Sequence, residues 1–207
     1  MESPKTRQNK SRRSAPNFIS RDIVISAALS VFANNGFHGS SMRQIAAEAK
    51  TSLSNLYNYF PSKTHLLAFV LETTARSLAD RLESVAKEGT PSERLQVAVA
   101  EYVQFIIDQP RTSLVGITEF RYLEGEERDS VLQQRDRTEH LFEQIVVDGA
   151  RDGSFSVDNV SLTTRAIVTL CNSMSTWYRE SGPLSAKELQ SVQANLALSL
   201  VRAHVSQ

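Results

Sequence analysis

Ser52, Ser54, Asn55 and Asn58 lie within seven residues of one another, and each carries a small group that both donates and accepts hydrogen bonds. Side chains of this kind, presented from one end of a helix, can read base edges in the major groove of a nucleic acid duplex. An Asn amide pairs bidentately with adenine and an Arg guanidinium with guanine, which makes Asn55 the candidate for the first contact and Arg43 for the second. Ser41 stands two residues before Arg43, where it can cap the helix that carries it. Tyr57 and Tyr59, at i and i+2, point to different sides of a helix. Lys63 follows Pro61-Ser62, at the start of a further helix whose free N–H groups and dipole already favour a phosphate.

The charge distribution points the same way. Net charge is zero over 207 residues, yet residues 1–65 hold nine Lys/Arg against three Asp/Glu, and the remainder is acidic by the same margin. A basic front joined to an acidic rear suggests that the front meets a polyanion. Residues 1–17, MESPKTRQNKSRRSAPN, have no apolar periodicity and read as a disordered basic arm. Arg12 and Arg13 can enter a minor groove from there, or simply add general attraction as part of a solvated tail.

Other chemistries lack their residues. His65, His140 and His204 stand far apart with no i, i+4 partner for a metal, and no nucleophile elbow, phosphate loop or zinc-protease motif occurs. The group Glu124, Glu126, Glu127 and Asp129 reads as a solvated loop. Cys171, the single cysteine, excludes an intrachain disulfide and falls on an apolar helix face. No enzyme activity, cofactor or metal is expected. The longest apolar run, Leu66 to Leu71, is far short of the roughly 20 residues of a membrane span. No signal peptide precedes the first helix, so a reducing, cytoplasmic location is expected.

Eight glycines and six prolines in 207 residues leave room for long helices, and helical spacing predicts about nine of them in an all-α fold. Ser20 caps a first helix with Ile25, Ala28, Leu29 and Phe32 at helical spacing, closed by Gly36. Ser40 or Ser41 caps a second, a short break follows, and a third ends at Pro61. Three short helices with a tight link between the second and third form a helix-turn-helix unit over residues 18–65. A fourth helix, about 62–88 and roughly 40 Å long, ties it to a rear domain over 66–207. The remaining helices are predicted at about 92–108, 111–123, 127–151, 158–180 and 185–204. The fifth is apolar on more than one side and reads as central and buried.

The segment from Ser41 to Leu67, SMRQIAAEAKTSLSNLYNYFPSKTHLL, resembles the DNA-binding segment of the TetR family of bacterial transcriptional regulators. The matching positions are Ile45-Ala46, Ser52, Leu56-Tyr57-Asn58-Tyr59-Phe60 and Ser62-Lys63, with Ala27-Ala28, Phe32 and Gly36 upstream. The chain departs from the pattern at Lys50 and Thr51, where the family commonly has Gly and an aliphatic residue. Lys50 would be strained if the turn needs positive φ, and it also offers a phosphate contact. The resemblance implies that one or both tyrosines bond a phosphate, although Tyr57 can equally be buried against a neighbour. It implies a double-stranded DNA operator as partner, a homodimer, and a rear domain that houses a small-molecule effector.

The rear sequence supplies residues for such a cavity: Tyr102, Phe105, Phe120, Phe142, Met174 and Trp177. Taken singly, each serves equally as core. The end of the eighth helix, Trp177 to Leu184, resembles the branch of the family that regulates fatty-acid and steroid breakdown and senses acyl-CoA thioesters. A thioester's phosphates would need cations, for which Arg121, Arg135 and Arg137 are candidates, unless they pair with nearby glutamates. A protein partner acting on the DNA-bound module is the alternative to a small molecule. The ninth helix has one apolar row at Leu189, Val192, Leu196, Leu200 and Ala203 and another at Leu198, Val201 and Val205. Packing on its own domain needs one row, so the surplus suits a two-fold interface.

Overall fold

The structure, a computed structural model, describes residues 20–202. The basic arm with Arg12 and Arg13, and the final Ala203, His204 and Val205, lie outside the described residues. Within them the chain is helical throughout: α1 (Arg21–Asn35), α2 (Met42–Glu48), α3 (Leu53–Tyr59), α4 (Lys63–Val85), α5 (Pro91–Asp108), α6 (Pro110–Glu119), α7 (Gly125–Asp152), α8 (Val160–Trp177) and α9 (Ala186–Leu200). A 3₁₀ turn over Phe120–Tyr122 joins α6 to α7, and no strand occurs among the described residues.

Serines set the starts of the front helices. The Oγ atoms of Ser20, Ser41, Ser52 and Ser62 each accept from a backbone N–H in the first turn of the helix they precede, satisfying donors that the helix cannot satisfy itself. The link between α2 and α3 is a Schellman turn. Thr51 N–H donates to Ala46 O at 2.9 Å and Lys50 N–H to Ala47 O at 3.0 Å, with Lys50 at φ 53 in the position usually taken by glycine. A left-handed lysine costs about 1–2 kcal/mol. The turn therefore keeps the motif's geometry despite the departure in its sequence.

Two apolar clusters form the interior. The front one gathers Phe32, Ile45, Leu56, Leu66 and Leu67, and also takes in Val115, Leu123 and Val131 from α6, the following loop and α7. The rear one surrounds α5, which packs against α4, α7, α8 and α9, the arrangement its all-round apolar sequence demands. α4 belongs to both, with Leu66 to Leu71 in front and Leu78 and Leu82 behind. It ends at Val85, about a turn earlier than its sequence pattern predicts, because Ala86 leaves the helical region and Gly89 takes φ 102. Its 23 residues span about 34 Å. α7 approaches the chain beyond it so closely that a Cβ on Gly149 would stand 2.2 Å from Phe155 Cδ2. No helix of the described residues is long and apolar enough to cross a membrane.

Candidate functional site

α2 and α3 bury Met42, Ile45, Ala46 and Leu56, and the rotation that buries them turns Arg43, Gln44, Ser54, Tyr57 and Asn58 to solvent. Tyr57 is 48% exposed. Ser41 and Ser52 are exposed but hold caps: Ser41 Oγ accepts from Gln44 N–H and donates to Gln44 Oε1, and Ser52 Oγ accepts from Asn55 N–H. Asn55 is half-buried, its Nδ2 donating to Thr51 Oγ1 at 2.9 Å, so its amide also braces the turn. Tyr59 is half-buried against the front cluster. Lys50 is exposed beside this face.

Lys63 has a structural engagement that its place in the sequence does not reveal. Its Nζ donates to Phe37 O at 2.6 Å and to Ser40 O at 2.7 Å, and lies 4.3 Å from the Phe37 ring centroid. Burial lowers its pKa from the ordinary lysine value. The same α1–α2 loop is held from the rear. Phe37 N–H donates to the buried Glu119 Oε2 at 2.8 Å, the Phe37 ring stacks on Tyr122 at 5.4 Å, and His38 meets Tyr122 edge-on at 4.4 Å. Gly36, at φ 67, lets the chain leave α1 toward this contact. No sequence pattern ties Glu119, Tyr122 and His38 together at this loop, since only the tertiary fold joins positions 82 apart.

Behind α4 lies a cavity of about 270 Å³, lined from α4, α5, α6, α7 and α8. Leu71, Leu78, Phe105 and Ile106 form apolar wall, and Tyr102, Ser113, Arg135 and Asn172 bring polar atoms. Tyr102 donates to Asn172 Oδ1 at 2.7 Å, and burial raises its pKa well above the ordinary tyrosine value. Arg135 donates through Nη2 to Gly116 O at 2.7 Å, with its guanidinium 3.9 Å from the Phe120 ring centroid. Burial depresses the Arg135 pKa, the neighbouring Tyr102 opposes that shift, and Arg128 adds to it.

Of the residues expected to contact an effector, Tyr102, Phe105 and Arg135 line this cavity, whereas Phe120, Arg121, Arg137, Phe142, Met174 and Trp177 do not. Phe142 and Met174 are fully buried in the rear cluster. Phe120 packs on the front cluster between Arg128 and Arg135. Arg121 is exposed over Tyr122, and Trp177 ends α8 at 47% exposure. Helical spacing identified a buried face, but a buried face meets neighbouring rings as readily as empty space. Arg137 holds Asp80 and Glu83. His140 is exposed beside Glu143. Cys171 is buried, and burial pushes its thiol pKa up to about 12. Among the described residues no group of three His, Cys, Asp or Glu could hold a metal.

On the outer side of the rear unit α9 packs Leu189, Ala194 and Ala197 inward, as does Val201 just after it, and leaves Val192, Leu196 and Leu200 exposed at 46, 47 and 42%. These three are spaced at i, i+4 and i+8, one stripe along the helix. Leu162 and Trp177 on α8 are exposed as well.

Comparison with known proteins matches both parts of the chain. Residues 24–70 fit the family description "Bacterial regulatory proteins, tetR family", and residues 88–201 fit "Tetracyclin repressor-like, C-terminal domain". The transcriptional repressor KstR2 of Mycolicibacterium smegmatis is 27% identical over 180 residues, covering 82% of this chain and 84% of that one. A tetR-family regulatory protein from Rhodococcus RHA1 superposes with a TM-score of 0.85 at 24% identity, covering 90% of this chain and all of the other. FadR of Bacillus subtilis, solved in complex with stearoyl-CoA, superposes with a TM-score of 0.75 at 20% identity over 88% of this chain and all of that one.

Proposed function

The chain belongs to the TetR family of bacterial transcriptional regulators, a family of DNA-binding proteins and not of enzymes, and from that premise we propose how it works. It binds a palindromic operator as a homodimer and is released by a small apolar or acyl-CoA-like effector. The observation that carries this reading is the outward row of Arg43, Ser54, Tyr57 and Asn58 on α2 and α3, a helix pair of the kind whose second member enters a major groove.

Residues 18–65 form the DNA-binding unit, with Ser54 and Asn58 at base edges, Arg43 on guanine, and Tyr57 and Lys50 on phosphates. Ser41, Ser52, Asn55, Tyr59 and Lys63 support this unit through caps, turn and core. Residues 66–207 bind the effector and dimerise. The exposed stripe on α9, together with the exposed Leu162 and Trp177 of α8, supplies apolar surface that two-fold pairing would cover. The pairing sets two α3 helices against half-sites about 34–36 Å apart. KstR2 is named a repressor and FadR binds stearoyl-CoA, which supports an effector with a hydrocarbon body here.

Release follows from two connections between the cavity and the front unit. α4 runs through both clusters, and α6, which carries Ser113 and Gly116 on the cavity wall, ends at Glu119 against the α1–α2 loop. An effector that displaces either element tilts the recognition helices. About 5.5 kcal/mol of preference for the DNA-incompetent state moves a 1:99 balance to 99:1.

The test is selection of bound fragments from genomic DNA, followed by Asn58→Ala in a competition assay on the selected site. The variant is expected to lose about 1–3 kcal/mol and to relax base choice at one position. Parental binding by both Asn58→Ala and Ser54→Ala would refute the assignment of α3. Light scattering at micromolar concentration checks the dimer, and a monomeric mass would exclude it.

A further inference from the structure

The cavity contains a cation that no acid neutralises. Among the described residues Arg135 makes no ion pair, whereas Arg81, Arg94, Arg137 and Arg165 each hold a carboxylate. Its guanidinium has five N–H donors in a fixed fork suited to a carboxylate, and it donates to Gly116 O alone. One turn earlier on the same face of α6, Ser113 lines the same cavity with a buried hydroxyl that has no hydrogen-bond partner. A partnerless buried hydroxyl and an unpaired half-buried guanidinium are both costly in the empty protein. A single ligand group placed between them would remove both costs.

The apolar part of the cavity lining includes Leu78, Phe105 and Ile106. The volume of about 270 Å³ holds about nine water-sized groups, enough for a medium chain or a ring system. It does not hold the nucleotide of a coenzyme A thioester, which would have to lie outside. Among the cavity-lining residues Asp136 is exposed and Glu139 half-exposed, and both oppose a nucleotide's phosphates. Of the other candidate cations for a thioester's phosphates, Arg121 is engaged with Tyr122 and Arg137 with Asp80 and Glu83.

We propose that this cavity takes an apolar monocarboxylic acid, its carboxylate on the Arg135 guanidinium and the Ser113 hydroxyl and its hydrocarbon body against Leu78, Phe105 and Ile106. The inference rests on the reading of the cavity as the effector site and narrows the effector to a free acid. Because Arg135 also holds Gly116 O, the arriving carboxylate competes for the guanidinium that fixes α6.

Calorimetric titration of the full-length protein with octanoate, 1-octanol and octanoyl-CoA tests it. Octanoate is expected to bind about tenfold or more tightly than octanol, the margin of a charge-assisted hydrogen-bonded pair. Arg135→Gln, checked for folding by its thermal melt, should erase that margin while retaining octanol. Ser113→Ala, which loses no hydrogen bond within the protein, should narrow the margin several-fold, so the outcome does not depend on Arg135 variants alone. Equal affinity for octanoate and octanol in the parent, or tighter binding of octanoyl-CoA than of octanoate, overturns the carboxylate anchor and leaves an apolar effector standing. Binding of none of the three at millimolar concentration overturns the anchor and the effector reading of this cavity together, while operator binding is judged separately by the fragment selection.

Discussion

The proposed recognition face turns Arg43, Ser54, Tyr57 and Asn58 outward from two helices of seven residues each, whereas the cavity turns Tyr102, Ser113, Arg135 and Asn172 inward from four different helices. An unpaired polar group therefore means different things in the two places. On α2 and α3 it is solvated until DNA replaces the water, so its lack of a partner carries no penalty. In the cavity a donor or acceptor without a partner costs about 1–3 kcal/mol, and its persistence indicates what the site is built to receive. The recognition face needs little more than caps and a core beneath it. The cavity needs five helices held in register.

The largest effect that could break this contrast is at Phe142. If its ring is core and not cavity wall, Phe142→Ala should cost about 3–5 kcal/mol in urea unfolding, the range for a fully buried aromatic. Trp177→Ala, at an exposed position, should change the monomer's stability by no more than about 0.5 kcal/mol. A loss below about 1 kcal/mol at Phe142 would return that ring to the effector site and enlarge the cavity beyond its present walls.

How much of this was legible in the sequence depends on how local each feature is. Serine caps, the Gly36 stop and the i, i+3, i+4 rows at Ile45 and Leu56 act within one helix, and they fixed the front unit closely. The Lys50 turn was legible as a strain because only one backbone region closes so short a link. Tyr102 and Phe105 were legible as cavity residues, but the rest of the polar wall was not, because Tyr102 and Asn172 are 70 residues apart and become a pair only in the folded chain. Ser113 looks like any polar residue on an amphipathic helix. Arg135 and Arg137, two positions apart on α7, were indistinguishable as candidate cations, yet one faces the cavity and the other faces Asp80 and Glu83 on α4. Periodicity reports which face is buried and says nothing of what stands opposite it.

Lys63 sharpens the contrast with an intermediate effect, because it lies at the front yet behaves as an interior group. With its Nζ donating to Phe37 O and Ser40 O, Lys63→Ala should lower stability by about 1–3 kcal/mol. The slope of log affinity against log salt for the operator complex should stay unchanged. A lysine that instead neutralises a phosphate would lower the magnitude of that slope by about one when removed and leave stability nearly unaffected. Salt titration and chemical unfolding of one variant separate the two roles.

The smallest effect concerns how the two regions cap their helices, and pH exposes it. α5 and α9 begin with capping boxes in which Glu93 accepts from Thr90 N–H at 2.8 Å and Glu188 from Ser185 N–H at 2.8 Å. α2, α3 and α4 rely on serine hydroxyls, and Gln44, Asn55 and His65 hold the third position where a carboxylate would stand. The Glu93 pKa is lowered chiefly by the Thr90 backbone hydrogen bond, and the Glu188 pKa by the Ser185 hydroxyl and then its backbone N–H. A carboxyl whose pKa is lower in the folded than in the unfolded chain binds fewer protons when folded, so stability rises with pH across that interval. The contribution is complete above the usual glutamate range, near 4.5, and is lost as pH falls through the lowered folded value. Acidification should therefore release the first turns of α5 and α9 before those of α2, α3 and α4. Hydrogen-exchange protection factors at Thr90, Glu93, Ser185 and Glu188, set against Gln44, Asn55 and His65, measure the order. Glu188→Gln should remove the acid sensitivity from α9 alone, because a neutral amide still accepts the cap hydrogen bonds but does not titrate. Earlier loss of protection at the front would mean that the serine caps, not the glutamate boxes, are the acid-sensitive ends of this fold.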